Sequence, residues 1–360
     1  LGGHANAQTT FDSLNEAANK GDVASMVRIG NMMLNGEGMG KSVGEAFRWY
    51  MKAADKGSAE GECNVGYMYE KGIGVKHDNF EAIKWYRKSA AKGFARCECN
   101  LGDMYEKGNG TNQDFNEAFK WYKKAAASDY DFGLLNVGRA YEEGIGVSVD
   151  LIEARKWYEK AAALNNAVAQ GKLGFLYERG LGVKPDTAEA VKWYTKSAEQ
   201  GELVSINNLG KIYYQGYRGH PADYKEAVKW FTRSAQRDHP LGMYVLGQIY
   251  EAGAGEVKQD LKKAAHYYEH AAETGHMNSQ YKLGLMYEAG SGVKKNDSLA
   301  YVWYEKAAKQ MHYNAMGKQG VLLYEGRGVK MDKELGIQWI RVAATKGKEE
   351  FRQYLMSRGL

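Results

Sequence analysis

An all-α solenoid of repeated helix pairs is the fold class this sequence predicts, and three observations carry it. An aromatic pair returns at a period of 36 residues, with two steps of 37: Trp49-Tyr50, Trp85-Tyr86, Trp121-Tyr122, Trp157-Tyr158, Trp193-Tyr194, Trp230-Phe231, Tyr267-Tyr268, Trp303-Tyr304 and Trp339-Ile340. A glycine keeps the same period from Gly30, Gly66 and Gly102 to Gly284 and Gly320, and an alanine does so from Ala54 and Ala90 to Ala308 and Ala344. Self-similarity at a fixed period marks a stack of like units, each too small to bury its own apolar face. A helical glycine costs about 1 kcal/mol against alanine, so nine copies imply close approach of a neighbouring helix.

Residues 58–93 show the unit in order. Val65, Gly66, Met68 and Tyr69 fall at helical spacing within a first helix over 59–71. Gly72 ends it, and the loop Gly72-Ile73-Gly74-Val75 follows. Asp78 is the predicted N-cap of a second helix, with Glu81 three residues on as a capping box. That helix carries Ala82, Trp85, Tyr86 and Ala90 and stops at Gly93, a position filled elsewhere by Asp129, Asn165 and Asp238.

Nine units follow: 22–57, 58–93, 94–129, 130–165, 166–201, 202–238, 239–275, 276–311 and 312–347. Residues 8–21 read as an N-terminal capping half-repeat and 348–360 as a closing helix. Residues 1–7, with Ala5-Asn6-Ala7, read as the tail of an export signal or a disordered end; the first reading implies the periplasm or secretion, and the second leaves the cytoplasm open.

Composition excludes some classes. Forty-nine basic residues against 44 acidic ones, alternating along helices, give no basic face for a nucleic acid. No run approaches the length of an apolar membrane helix. No phosphate loop ending in Gly-Lys-Ser/Thr and no Cys-x-x-Cys occurs. His266 and His270 have metal-ligand spacing, but they match the solvent-facing Lys84 and Lys88 and read as surface residues. No catalytic group, cofactor or metal is expected. Cys63, Cys97 and Cys99 read first as small half-buried helix residues. A bridge from Cys63 to Cys97 or Cys99 depends on geometry that spacing alone does not supply.

The run Asn64-Val65-Gly66-Tyr67-Met68-Tyr69-Glu70-Lys71-Gly72-Ile73-Gly74-Val75, then Asp78, Glu81-Ala82, Trp85-Tyr86 and Ser89-Ala90, resembles the Sel1-like repeat, and the resemblance covers about residues 22–347. It implies a right-handed α/α superhelix whose first helices line the inner face. It also implies an adaptor that binds proteins. Bacterial relatives include periplasmic regulators, immunity proteins that block a toxin, and proteins that promote entry into host cells. The expected partner is therefore a bacterial toxin, an envelope protein or a host protein, held by a monomer. The alternative is an envelope carbohydrate-binding protein or hydrolase. The cysteine-rich branch of the family, with a bridge in every repeat, is not matched.

One inner-face row reads Asn31, Tyr67, Asp103, Arg139, Phe175, Lys211, Gln248, Leu285 and Val321, and a second reads Cys63, Cys99, Leu135, Gly171, Asn207, Tyr244 and Tyr281. Both vary while the packing positions do not, which suits a fixed scaffold with an adapted surface. A third row, Glu70, Glu106, Glu142, Glu178, Glu251 and Glu288, is broken by Tyr214 and reads as solvated helix ends or as an acidic ladder for a basic partner. The residues expected to touch a partner are Tyr67, Asp103, Arg139, Glu142, Phe175, Glu178, Lys211, Tyr214, Tyr244, Gln248, Tyr281 and Leu285. The two 37-residue units carry their extra residue in the loops 216–222 and 253–259. Gln319, Leu323 and Gly336 suggest looser packing in the last unit.

Overall fold

The computed structural model describes residues 2–38 and 40–360, with the side chains of residues 2–9 left aside; within the N-terminal expectation for 1–7, Leu1 lies outside the described residues. The described residues form twenty α-helices. Two compact units divide within one of them, the first ending at Trp193 and the second beginning at Tyr194. The helices of the first are α1 (Gly2–Asn19), α2 (Val23–Asn35), α3 (Val43–Asp55), α4 (Ala59–Lys71), α5 (Asn79–Ala90), α6 (Ala95–Lys107), α7 (Phe115–Ala127), α8 (Asp131–Glu143), α9 (Leu151–Ala163), α10 (Ala167–Arg179) and the start of α11 (Thr187–Glu199). After α11 the second continues with α12 (Leu203–Gln215), α13 (Tyr224–Ala235), α14 (Pro240–Ala252), α15 (Leu261–Glu273), α16 (Met277–Ala289), α17 (Asp297–Lys309), α18 (Tyr313–Glu325), α19 (Lys333–Thr345) and α20 (Glu349–Ser357).

Even- and odd-numbered helices pair as first and second members of each repeat, and glycine and tyrosine set how closely. A Cβ on Gly30, Gly66, Gly102, Gly138, Gly247 or Gly284 would come within 2.5–2.6 Å of the ring of Tyr50, Tyr86, Tyr122, Tyr158, Tyr268 or Tyr304. Those rings are 0–1% exposed. The glycine therefore leaves room for the largest core side chain of each repeat. Its tryptophan neighbour behaves differently: Trp85, Trp121 and Trp157 are half-buried, with Lys88, Lys124 and Lys160 over their rings at 3.7–4.1 Å. A cation over an indole in this setting contributes about 0.5–1 kcal/mol.

Asp78, Asp114, Asp150 and Asp223 accept the N-cap hydrogen bonds expected of them. The reciprocal half of the capping box is replaced. The N–H of Asp78 donates to the Tyr69 carbonyl, as Asp114 does to Tyr105 and Asp150 to Tyr141. With that donor taken by the preceding helix, Glu81, Glu117 and Glu153 turn outward to Lys84, Lys120 and Lys156.

Two-glycine loops of the regular repeats seat on the repeat before them. A Cβ on Gly74 would meet the Val43 carbonyl, and one on Gly110, Gly146 or Gly292 would meet the carbonyl of Asn79, Phe115 or Leu261. The stop positions Asp129, Asn165 and Asp238 take positive φ, and Met311 joins them at +67°. The last repeat is tighter than expected. Gly336 lets α19 approach until a Cβ on Gly320 would lie 2.7 Å from the Gly336 carbonyl, and buried Gln319 donates to Tyr301 Oη at 3.2 Å. Phe351 and Leu355 of α20 cover its open side.

Candidate partner-binding faces

In the first unit, α2, α4, α6 and α8 bring their inner rows together around a cleft of about 580 Å³. Asn31, Tyr67 and Asp103 line it, as the row pattern suggests. Arg139, Glu142, Phe175 and Glu178 do not. The cleft also holds residues the row reading missed: Asn35, Asn64, Asn100 and Asn136, Arg96, Tyr130 and Phe132. The sequence does carry a signal for three of them, since Asn64, Asn100 and Asn136 stand 36 residues apart. Tyr67 and Phe132 present exposed rings, 40% and 49% accessible, beside these amides. Arg96 donates to Asn64 Oδ1 at 2.5 Å, and Asn64 Nδ2 is buried with no protein acceptor.

A disulfide joins Cys63 of α4 to Cys97 of α6, with Cα atoms 5.7 Å apart, and so ties the second repeat to the third beside the cleft. Reading both cysteines as plain helix residues is thereby corrected: adjacent first helices put the two Cβ atoms within bridging reach. Cys99 is a buried thiol that accepts from Asn136 Nδ2 at 3.1 Å, and burial pushes its pKa up to about 12.

The acidic row proves to be internal structure. Tyr86 Oη donates to Glu70 at 2.7 Å, Tyr122 to Glu106 at 2.6 Å, Tyr268 to Glu251 at 2.6 Å, Tyr304 to Glu288 at 2.7 Å, and Tyr158 to Glu142. A cation from the following repeat meets most of these carboxylates. Arg139 grips Glu106 with two bonds of 2.6 and 2.8 Å, Lys172 reaches Glu142 at 2.9 Å, and Lys282 reaches Glu251 at 2.9 Å. Glu288 takes both Arg327 at 2.7 Å and Lys318 at 3.5 Å. Neither a ladder of free charge nor a set of solvated ends describes these groups. Burial pushes Glu106 upward, but the Arg139 and Tyr122 hydrogen bonds outweigh it and hold the carboxyl below its ordinary value. Asp103, which shares the Tyr122 hydroxyl at 2.7 Å, is pushed up by burial.

Two repeats lose both partners together, while Tyr50, with Leu34 at the glutamate position, donates to Asn31 Oδ1 at 2.6 Å instead. Where Tyr214 replaces the glutamate, Phe231 replaces the tyrosine, and Tyr324 likewise comes with Ile340. Losing both partners together avoids leaving one buried polar group unpaired.

In the second unit the inner rows carry rings. Tyr244 packs on His276 at 4.8 Å and accepts from Gln248 Nε2 at 3.2 Å, and Tyr281 packs on His312 at 4.5 Å. Burial pushes Tyr281 up to about 12. Leu285 lines a hollow of about 360 Å³ with Glu251, Glu288 and Lys318. Lys211 is exposed on α12, while Tyr214 turns its edge to Tyr224 at 5.6 Å. On α10 of the first unit, Phe175 lies 5.9 Å from the Arg179 guanidinium. His266 and His270 have ring centroids 4.5 Å apart, and no cluster of three metal-ligating side chains occurs among the described residues. No described helix is long and apolar enough to cross a membrane.

Comparison with known proteins agrees with this architecture. The Sel1 repeat matches residues 23–58, 59–94, 95–130, 132–166, 167–202, 203–239, 240–276, 278–312 and 313–348. The chain is 33% identical to a protective antigen present in uropathogenic Escherichia coli strains and displaying an SLR fold. That match has a TM-score of 0.71 and covers 93% of this chain and 79% of the antigen. A Sel1 repeat protein from Oxalobacter formigenes is 31% identical with a TM-score of 0.60, covering 84% of this chain and 87% of that one. No curated protein matches. Nine matched segments on a stack of helix pairs place the chain in one family: it is a Sel1 repeat protein.

Proposed function

We propose that this protein is an exported bacterial scaffold that binds a partner protein along the first-helix face of its first unit. The observation that carries this reading is the cleft over α2, α4, α6 and α8. It combines exposed rings at Tyr67 and Phe132 with amides that both donate and accept, a chemistry suited to an extended polypeptide. The disulfide supports a compartment outside the cytoplasm, because such bonds persist in oxidising surroundings. The likeness to a protective antigen of a pathogen supports the same placement. Within this reading Tyr67 and Phe132 are the contacts most open to a partner in the first unit, with Asp103 half-buried behind them and Phe175 outside the cleft on α10. Glu142 and Arg139 act by holding the scaffold. In the second unit Lys211, Tyr244, Gln248, Tyr281 and Leu285 supply a further face.

The test is quantitative capture from source-cell, envelope and host-cell extracts, with the wild type beside a Tyr67→Ala/Phe132→Ala variant of unchanged helicity. A stoichiometric partner lost from the variant supports the cleft, and its origin separates a toxin, an envelope protein and a host protein. A partner retained in full by the variant rules this face out.

A further inference from the structure

The second repeat has a hollow beside α5 lined by Tyr69, His77, Asp78 and Phe80, and its counterpart in the second unit is a cleft where the two lengthened loops meet. This cleft measures about 380 Å³ and is lined by Tyr213, Tyr217, His220, Asp223, Tyr224 and Glu256, among others. Three neighbouring tyrosines there depart from the repeat. Tyr214, beside the lining, stands where most repeats have glutamate, Tyr217 where the second and fourth repeats have Ile73 and Ile145, and Tyr224 where the second and third have Asn79 and Phe115. Tyr214 and Tyr224 also pack against the core of the second unit, which fixes their rings.

The joint also differs from its counterparts. Gly74, Gly110, Gly146 and Gly292 press on the backbone of the preceding repeat, whereas a Cβ on Gly255 would meet only the Tyr224 ring, at 2.9 Å. The extra residue lifts the 253–259 loop off the start of α13, and the tyrosine ring fills the joint. Across the cleft, paired backbone hydrogen bonds of 2.7 and 2.8 Å between Tyr217 and His220 close a tight turn and stack their rings at 4.4 Å. Tyr224 is braced edge-on by Tyr214. Two aromatic walls are thus set in place before any ligand arrives, and preorganised walls lower the entropy lost on binding.

We propose that this cleft binds a neutral sugar residue of a glycan. A pyranose has an apolar C–H face that suits tyrosine rings and an edge of hydroxyls that suits phenol, imidazole and carboxylate groups. The volume lies at the low end of ligand sites, room for about one ring. Asp223 and Glu256 disfavour phosphate, and Lys225, ion-paired with Glu256 at the rim, disfavours a cation. The proposal does not rest on the protein-binding reading, since the lining belongs wholly to the second unit.

The experiment is titration of the intact protein with chitotriose, cellotriose and maltotriose, followed by calorimetry and by the tyrosine ring signals in NMR. The expected result is saturable binding of one of them below about 10 mM, weakened roughly tenfold or more by Tyr217→Ala and by Tyr224→Ala. Phe80→Ala, in the corresponding hollow beside α5, leaves it unchanged. Glu256→Gln, which keeps the loop and its rings, tests the hydroxyl contacts if an alanine variant proves unstable, and it too weakens binding. Three results overturn the proposal: no saturable binding to any of the sugars, binding indifferent to these substitutions, or binding of tetramethylammonium alone, which the same rings would hold as a cation.

Discussion

The inner rows of the two units occupy the same helical positions with different chemistry. In the first, Cys63, bridged to Cys97, and Cys99 stand at the positions that Tyr244 and Tyr281 take in the second. In the second, Tyr244 and Tyr281 pack on His276 and His312, whose counterparts in the first unit are Ser58, Phe94, Tyr130 and Asn166. A shared backbone solution leaves these positions free to vary, so a disulfide staples one unit and histidines cap helices in the other.

The largest effect expected in breaking this contrast comes from its common element. Tyr122→Ala empties a fully buried site and strips a donor from Asp103 and Glu106, so the first unit should lose about 3–5 kcal/mol. Tyr122→Phe should lose only about 1–3 kcal/mol, the penalty for the unpaired carboxylates. Chemical denaturation of both variants checks the ratio. Opening the Cys63–Cys97 bond, which closes a loop 34 residues apart in sequence, should cost the first unit about 3–4 kcal/mol on a chain-entropy account. Thermal melts of Cys63→Ser should show that loss, with hydrogen exchange in α14–α18 unchanged. Loss spread evenly over both units would erase the distinction.

Acid should act the other way round. His276 and His312 cap α16 and α18 through Nδ1, accepting from Ser279 N at 3.3 Å and Ala315 N at 3.1 Å, and a protonated ring cannot accept. Burial holds both below the ordinary histidine value of 6.5, and Lys348 lowers His312 further. Their unfolded forms bind protons more readily, so stability is complete above about pH 6.5 and falls as pH drops below it. Glu106, held below 4.5, loses its contribution only as pH falls beneath that value. Exchange measured at pH 7 and 5.5 should loosen α16 and α18 before α6 and α8; the reverse order would refute the assignment. The smallest effect is a gain: Met311→Gly relieves a left-handed residue that is 59% exposed and should add about 1 kcal/mol to the unfolding free energy, read as a higher denaturant midpoint.

The stack, its glycines and its loops were legible because each obeys a local rule at a fixed offset. The fate of Glu70, Glu106 and Glu142 was not read, because each partner lies 16 residues away in Tyr86, Tyr122 and Tyr158, and for Glu106 and Glu142 the balancing cation lies in the next repeat. Local patterning sees a charge at a helix end and assigns it to water. The joint loss of both partners at Tyr214/Phe231 was the available clue. Cys63 and Cys97 posed the same difficulty, since only the spacing of successive first helices decides which of two neighbours a thiol meets. Met311 carried no sign of its left-handed backbone beyond its place at a stop position.

The loop glycine seated on the preceding carbonyl has a consequence for ancestry. Gly110 has no room for a side chain because of Asn79, and Gly146 because of Phe115, so each unit's turn is dictated by its predecessor. A duplication or excision in whole units hands every glycine a carbonyl of the same shape. A single-residue slip within a loop does not, and the molecule records two such slips in successive repeats, at 216–222 and 253–259, with Tyr217 and Tyr224 lining the cleft beside them. Lineages of this architecture should therefore differ from one another mainly in how many units they count, and innovate where the count within a unit changes.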